Sequence, residues 1–273
     1  MNNSFIRALG YMLMSASVFQ HACTTPAETE QDLSSKTLLA IFSHPDDEST
    51  VSPLLARYAA EGATVYLAVA TDGRLGFTEH AQIPKGDTLA SVRAEETKCA
   101  AEKLGIKPPI MFGLEDQLKL SEGYGAFTGQ IRTMREKVEE LFTTLKPDAV
   151  ITWDASGWTG HPDHRLVGSV VTEVFQSKAW EKPVELFYPA IPTGNVPDDS
   201  PLKPATIDMA YLTVQVAVSA EDYEKARISL HCHKSQYTPE QVEAMHKLES
   251  GSLKGIAYLK PYATSTQIRK SIF

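Results

Sequence analysis

Positive charge is scarce in this chain: 26 lysines and arginines stand against 34 acids, a formal net charge of −8 over 273 residues. There is no basic patch, which excludes a nucleic-acid-binding surface. A diffuse negative charge of this size serves solubility. Long apolar runs are also missing. The N-terminal stretch Ala8–Phe19 falls well short of the ~20 residues that a membrane-spanning helix needs. Cysteine is nearly absent, with Cys23, Cys99 and Cys232 the full set. Of these, Cys99 and Cys232 read as two separate buried thiols, with pairing as the alternative. No G-x-G-x-x-G follows the first apolar strand, so a dinucleotide is not expected. No internal repeat and no linker after residue 36 are found, which points to one domain.

What is present begins with a leader. One cation, Arg7, precedes the short apolar stretch, and small and polar residues follow it up to Cys23. Residues 1–22 therefore read as a secretory signal and residues 23–36 as a polar tether, with 37–273 as the folded domain. Cys23 stands where the acylated cysteine of a bacterial lipoprotein would be, although Gln20 and His21 depart from that signal; ordinary cleavage near Ala22 is the alternative. The expected location is exported, either periplasmic or anchored to the membrane through a lipidated Cys23.

From residue 37 onward, strand and helix patterns alternate. The continuous apolar runs 37–43, 63–71, 109–113, 147–153 and 184–190 read as strands buried on both faces. Helical periodicity is expected over 53–62, 89–105, 130–146 and 163–176, with residues 121–129 as a Gly-rich loop. The segment from Tyr188 to Pro204 holds five prolines in seventeen residues and reads as an irregular loop. Beyond it, a strand candidate over 209–218 precedes helices over 220–236 and 239–250. The expected class is α/β: a Rossmann-like, mostly parallel sheet with helices on both faces.

In such sheets ligands gather outside the carboxyl ends of the strands. "HPDDE" (44–48) follows the first strand, and "GHPDH" (160–164) follows the fourth. Catalytic zinc takes three nitrogen or oxygen ligands and keeps one position open. His44, Asp47 and His164 would supply two imidazoles and a carboxylate. Asp46 would be left to take a proton from water, and His161 to support a developing oxyanion or protonate a leaving group. A helix N-terminus rich in acids explains the first cluster alone, but not two such clusters after two strands.

Together the two motifs resemble the LmbE-like, or PIG-L, family of metal-dependent N-deacetylases. "ATDGRLG" (70–76), "LASVRAEE" (89–96) and "HKSQ" (233–236) add supporting likeness. The resemblance implies the same ligand set (His44, Asp47, His164), Asp46 as general base and His161 at the tetrahedral intermediate. It also implies removal of an acetyl group from the amide nitrogen of an amino sugar or glycoconjugate, with Zn2+ as the metal; Fe2+ or another divalent ion stays open. Arg74, Arg93 and Asp116 are candidate substrate contacts, and His233 is expected to pack behind or over the site. Trp153 and Trp158 could stack on a sugar or sit in the core. Hydrolysis of a larger amide, the Fe(II) oxygenase triad and a non-catalytic carbohydrate-binding protein are the competing readings.

Overall fold

The computed structural model describes residues 32–196 and 203–273. The signal and Cys23 expected at the N-terminus lie outside the described residues. The folded unit Asp32–Phe273 opens with Leu33, only 3% exposed, so the segment expected as tether up to residue 36 already contributes a core residue.

Strands β1 (Thr37–Phe42), β2 (Thr64–Thr71), β3 (Ile110–Leu114), β4 (Ala149–Ile151) and β5 (Glu185–Pro189) pair in parallel, in the order β3-β2-β1-β4-β5. Side chains alternate across a strand. Leu38, Ala40 and Phe42 of β1 therefore enter one core with Leu54 and Leu55 of α1 (Ser52–Ala60). Leu39 and Ile41 enter the other with Met134 and Val138 of α3 (Tyr124–Leu145). Helix α2 (Asp87–Leu104) precedes β3. The single turn α4 (Gly157–Gly160) and helix α5 (Pro162–Gln176) follow β4. The stripe Val167, Val170, Val171 and Val174 turns α5 onto the second core.

The sheet continues past β5. After the small pair β6 (Ile191–Pro192) and β7 (Thr206–Ile207) come β8 (Val214–Ala217), α6 (Ala220–Leu230), α7 (Pro239–Leu253) and β9 (Ile256–Pro261). Strand β9 lies antiparallel between β5 and β8, giving a seven-stranded mixed sheet.

Four expectations change. The strand expected over 209–218 is a 3-10 turn over Met209–Tyr211 followed by the shorter β8. Helix α3 starts at Tyr124, so Gly125 and Gly129 are helical rather than part of a loop; packing of Phe127 and Ile131 on the second core outweighs their low propensity. Helix α6 stops at Leu230 instead of running to 236. Strand β9 escapes the sequence pattern because only Leu259 and Pro261 are buried, so it lacks a clean two-residue alternation.

Candidate metal centre and active site

Strands β1 and β4 are neighbours, and the chain leaves them in opposite directions, toward β2 and toward β5. Open sheets leave a crevice at such a reversal, and both His/Asp clusters sit on it.

At the end of β1 the chain enters a 3-10 turn, Asp47–Thr50. The Asp47 carboxylate folds back so that Oδ2 accepts N–H bonds from Ser43 (3.0 Å) and His44 (2.9 Å), and one from the Trp153 indole (3.3 Å). The turn puts Asp46 at φ 96°, in the left-handed region. A non-glycine residue pays about 1–3 kcal/mol for that, a cost usually met at functional positions.

On the other side, His161 caps α5, its Nδ1 accepting the N–H of Asp163 at 3.2 Å. His164 lies in the first turn of α5, stacked on Trp153 with ring centroids 4.4 Å apart. Its Nδ1 is 3.2 Å from the Gly157 carbonyl, which leaves Nε2 free to ligate. One turn further, a Cβ on Gly168 would stand 2.2 Å from the Trp153 carbonyl oxygen. Only glycine lets α5 come this close to the end of β4.

The donor atoms fit a metal. His44 Nδ1 and His164 Nε2 are 3.3 Å apart, and Asp47 oxygens lie 3.2 Å from His164 Nε2 and 3.7 Å from His44 Nδ1. Tetrahedral ligands at bonds of ~2.0–2.1 Å stand about 3.3 Å apart. His44 turns its other nitrogen to Asp163 at 3.2 Å, and Asp163 also accepts the Gln117 N–H. Such a carboxylate orients a ligating imidazole. Ligating nitrogens of His44, His161 and His164 also lie within 4.8 Å of one another. Asp47 is nearer to both His44 and His164 than that limit, and His161 stands exposed beside the three.

The two adjacent aspartates live in opposite fields. Burial pushes the Asp47 carboxyl up, but hydrogen bonds from His164 and His44 win and hold it well below the usual range. Burial pushes Asp46 up, the Arg93 charge opposes it and the Asp47 charge adds to it, with a net rise. Burial disfavours charge on His44, yet its bonds to Asp163 and Asp47 lift it to about 10 without a metal. His161 is lowered by burial and by the charges of His44 and His164.

Asp46 has its own supports. Arg93, 4% exposed, places Nη2 3.2 Å from Asp46 Oδ2 and also bonds the carbonyls of Pro45 and Gly73. Tyr237 stands beside Asp46, whose charge, followed by burial, raises its phenol well above the ordinary value. Behind them, fully buried His233 meets Glu48 at 2.6 Å.

The structure thus brings together His44, Asp46, Asp47, His161 and His164. It places Arg93 behind Asp46 rather than at an open substrate position. Arg74 is engaged by Asp72, Asp87 and Glu115. Both oxygens of Asp116 are taken by the N–H groups of Gly73 and Leu75. Trp153 is core. Sequence reasoning missed Tyr237, which directly follows the "HKSQ" motif, and the carboxylate of Asp163, which is contained in "GHPDH". Cys99 and Cys232 form a disulfide, which corrects the expectation of separate thiols.

The profile of the PIG-L family, described as GlcNAc-PI de-N-acetylase, matches residues 39–175. A relative from Saccharomonospora viridis, 1D-myo-inositol 2-acetamido-2-deoxy-alpha-D-glucopyranoside deacetylase, is 31% identical over 74% of this chain and 85% of its own. The chain belongs to the PIG-L family. The fold of this chain is shared by N,N'-diacetylchitobiose deacetylase from Pyrococcus horikoshii (TM-score 0.59, 19% identity, 85% of this chain and 84% of that one). It is shared equally by a 4-carboxy-2-hydroxymuconate hydratase from Pseudomonas putida (TM-score 0.58, 14% identity, 86% and 100% covered). The fold therefore does not choose the reaction; the site must.

Proposed function

We propose that this PIG-L enzyme is a zinc-dependent hydrolase that removes the acetyl group from the amide nitrogen of an N-acetylated amino sugar. The observation that carries this reading is the pair Asp46–Asp47: one carboxylate sits among ligating imidazoles, while its neighbour is held off them by Arg93 and Tyr237. A facial-triad oxygenase has no use for a second, raised carboxylate. The relatives' named substrates, acetamido sugars, support the substrate class.

His44, Asp47 and His164 would hold the metal, and the nitrogen-plus-oxygen donor set suits zinc among first-row ions. When bound, zinc polarises a carbonyl and lowers the pKa of water. Asp46 takes the proton of the attacking water, its raised basicity fitting it for this role. His161 is neutral in this field. Its Nδ1 already accepts a bond from Asp163, so its proton sits on Nε2, available to donate to the developing oxyanion. Asp46 then returns its proton to the departing amine, giving acetate and the free amino sugar.

Export is part of the proposal, with lipidation of Cys23 its finer form. The Cys99–Cys232 disulfide supports an oxidising compartment. The test is primary-amine release from a panel of N-acetylated sugars by the zinc-loaded enzyme. Release by wild type and at least about a hundredfold slower release by Asp46→Asn is expected. Equal release by both would overturn the assignment.

A further inference from the structure

Asp46 is gripped from two sides by elements far apart in sequence. Arg93, on α2, reaches its carboxylate and the Pro45 carbonyl. Tyr237, on the segment between α6 and α7, stands beside it, and His233 of the same segment holds Glu48. Glu48 in turn accepts the Asp46 N–H at 3.1 Å. The left-handed backbone at Asp46 is thus maintained by contacts from both elements.

The disulfide joins these same two elements. Cys99 lies on α2, less than two turns beyond Arg93, and Cys232 directly precedes His233. It works beside a weaker tie, in which Ser235 donates its N–H and hydroxyl to Glu96 at 2.7 and 2.6 Å. The half-buried Cys99 and buried Cys232 line an open groove with Glu95, Glu96, Lys103 and Lys234, so the bond can be reached from solvent.

We infer that the Cys99–Cys232 disulfide is a positioning element for the catalytic base, closing the two walls that hold Asp46 in line, so that breaking it lowers turnover rather than substrate or metal binding. This rests on the reading of Asp46 as the base. Opening the bond with a phosphine is balanced by water: the phosphine is oxidised to its oxide, and the two sulfurs gain two electrons and two protons to become thiols.

The experiment compares wild type, phosphine-reduced wild type, Cys99→Ser, Cys232→Ser and Asp46→Asn. All are full-length and zinc-loaded, and are assayed on a short N-acetylated sugar below their melting temperatures. Amide exchange over residues 43–50 is followed in parallel. The expected result is a five- to fiftyfold lower kcat in the reduced and serine forms, with KM and zinc content unchanged and faster exchange over 43–50. Reoxidation should restore wild type but not the variants. A lower melting temperature with unchanged kcat and unchanged exchange would make the bond a stabiliser only and overturn the proposal. An Asp46→Asn variant as active as wild type would overturn the base reading and the proposal with it. If no form turns the sugar over, exchange decides: unchanged protection over 43–50 overturns the proposal.

Discussion

The parallel and antiparallel halves of the sheet divide the labour. The parallel half carries every donor proposed for the metal, and its strand β1, from Leu38 to Phe42, is fully buried. The C-terminal half, β8, β9, α6 and α7, meets it across an apolar cavity of about 430 Å³, lined by Leu54 and Pro189 from the parallel half and by Leu230, Met245, Leu253 and Tyr258 from the other. Glu249 sits in that lining, and burial raises its carboxyl to about 7. Yet the segment from this half touches the base. The proposed metal ligands belong to one half, and the groups around Asp46 come from both.

Breaking the parallel half should have the largest effect. Asp47→Ala is expected to lose the metal and reduce turnover to background, read by metal content and amine release together. Asp46→Asn should keep the metal but lower kcat by about 10²–10⁴-fold, the usual worth of a general base. Should both variants lose metal, the division between the neighbouring aspartates is wrong.

The next effect sharpens the comparison through pH. Without metal, His44 holds a proton up to about pH 10, and binding must expel it. Apparent zinc affinity should therefore rise about tenfold per pH unit across the neutral range, measurable with a competing chelator. A flat profile would show that His44 is already neutral. From the C-terminal half, Tyr237→Phe removes the phenol hydroxyl that stands beside Asp46. It should lower kcat about tenfold with zinc content unchanged.

The smallest effect is on stability. Glu249 is raised in the folded state, so folding is unpenalised below its unfolded value near 4.5 and loses stability as pH rises toward 7. Glu249→Gln should stabilise the protein at pH 8 by on the order of 1–3 kcal/mol and leave it unchanged at pH 4. Urea melts at the two pH values will show whether the cavity wall carries this charge.

Much of the parallel half is readable in the sequence because both-face burial writes continuous apolar runs, and its ligands sit in short motifs next to them. The boundaries of β1, β2 and α2 and the cluster His44, Asp47, His164 come from that local grammar. Tyr237 reaches Asp46 only because α6 stops at Leu230 and the chain turns back, an event decided by the pairs His233–Glu48 and Ser235–Glu96. Those partners lie more than a hundred residues away, where no local pattern reports them. The same holds for Arg93, whose place on a helix is legible but whose reach to Asp46 is not. The disulfide, 133 residues in span, is a long-range pairing of the same kind.

Gly168 has a consequence for the width of the His/Asp cluster. It fixes how far α5 stands from the end of β4, and His164 rides on the first turn of that helix while His44 and Asp47 are anchored to β1. Position 168 therefore acts as a caliper on the bite of the site. A side chain there would lever His164 away from His44 and Asp47, from which it now stands 3.3 and 3.2 Å. The spacing of this cluster is written partly in a residue that lies outside it.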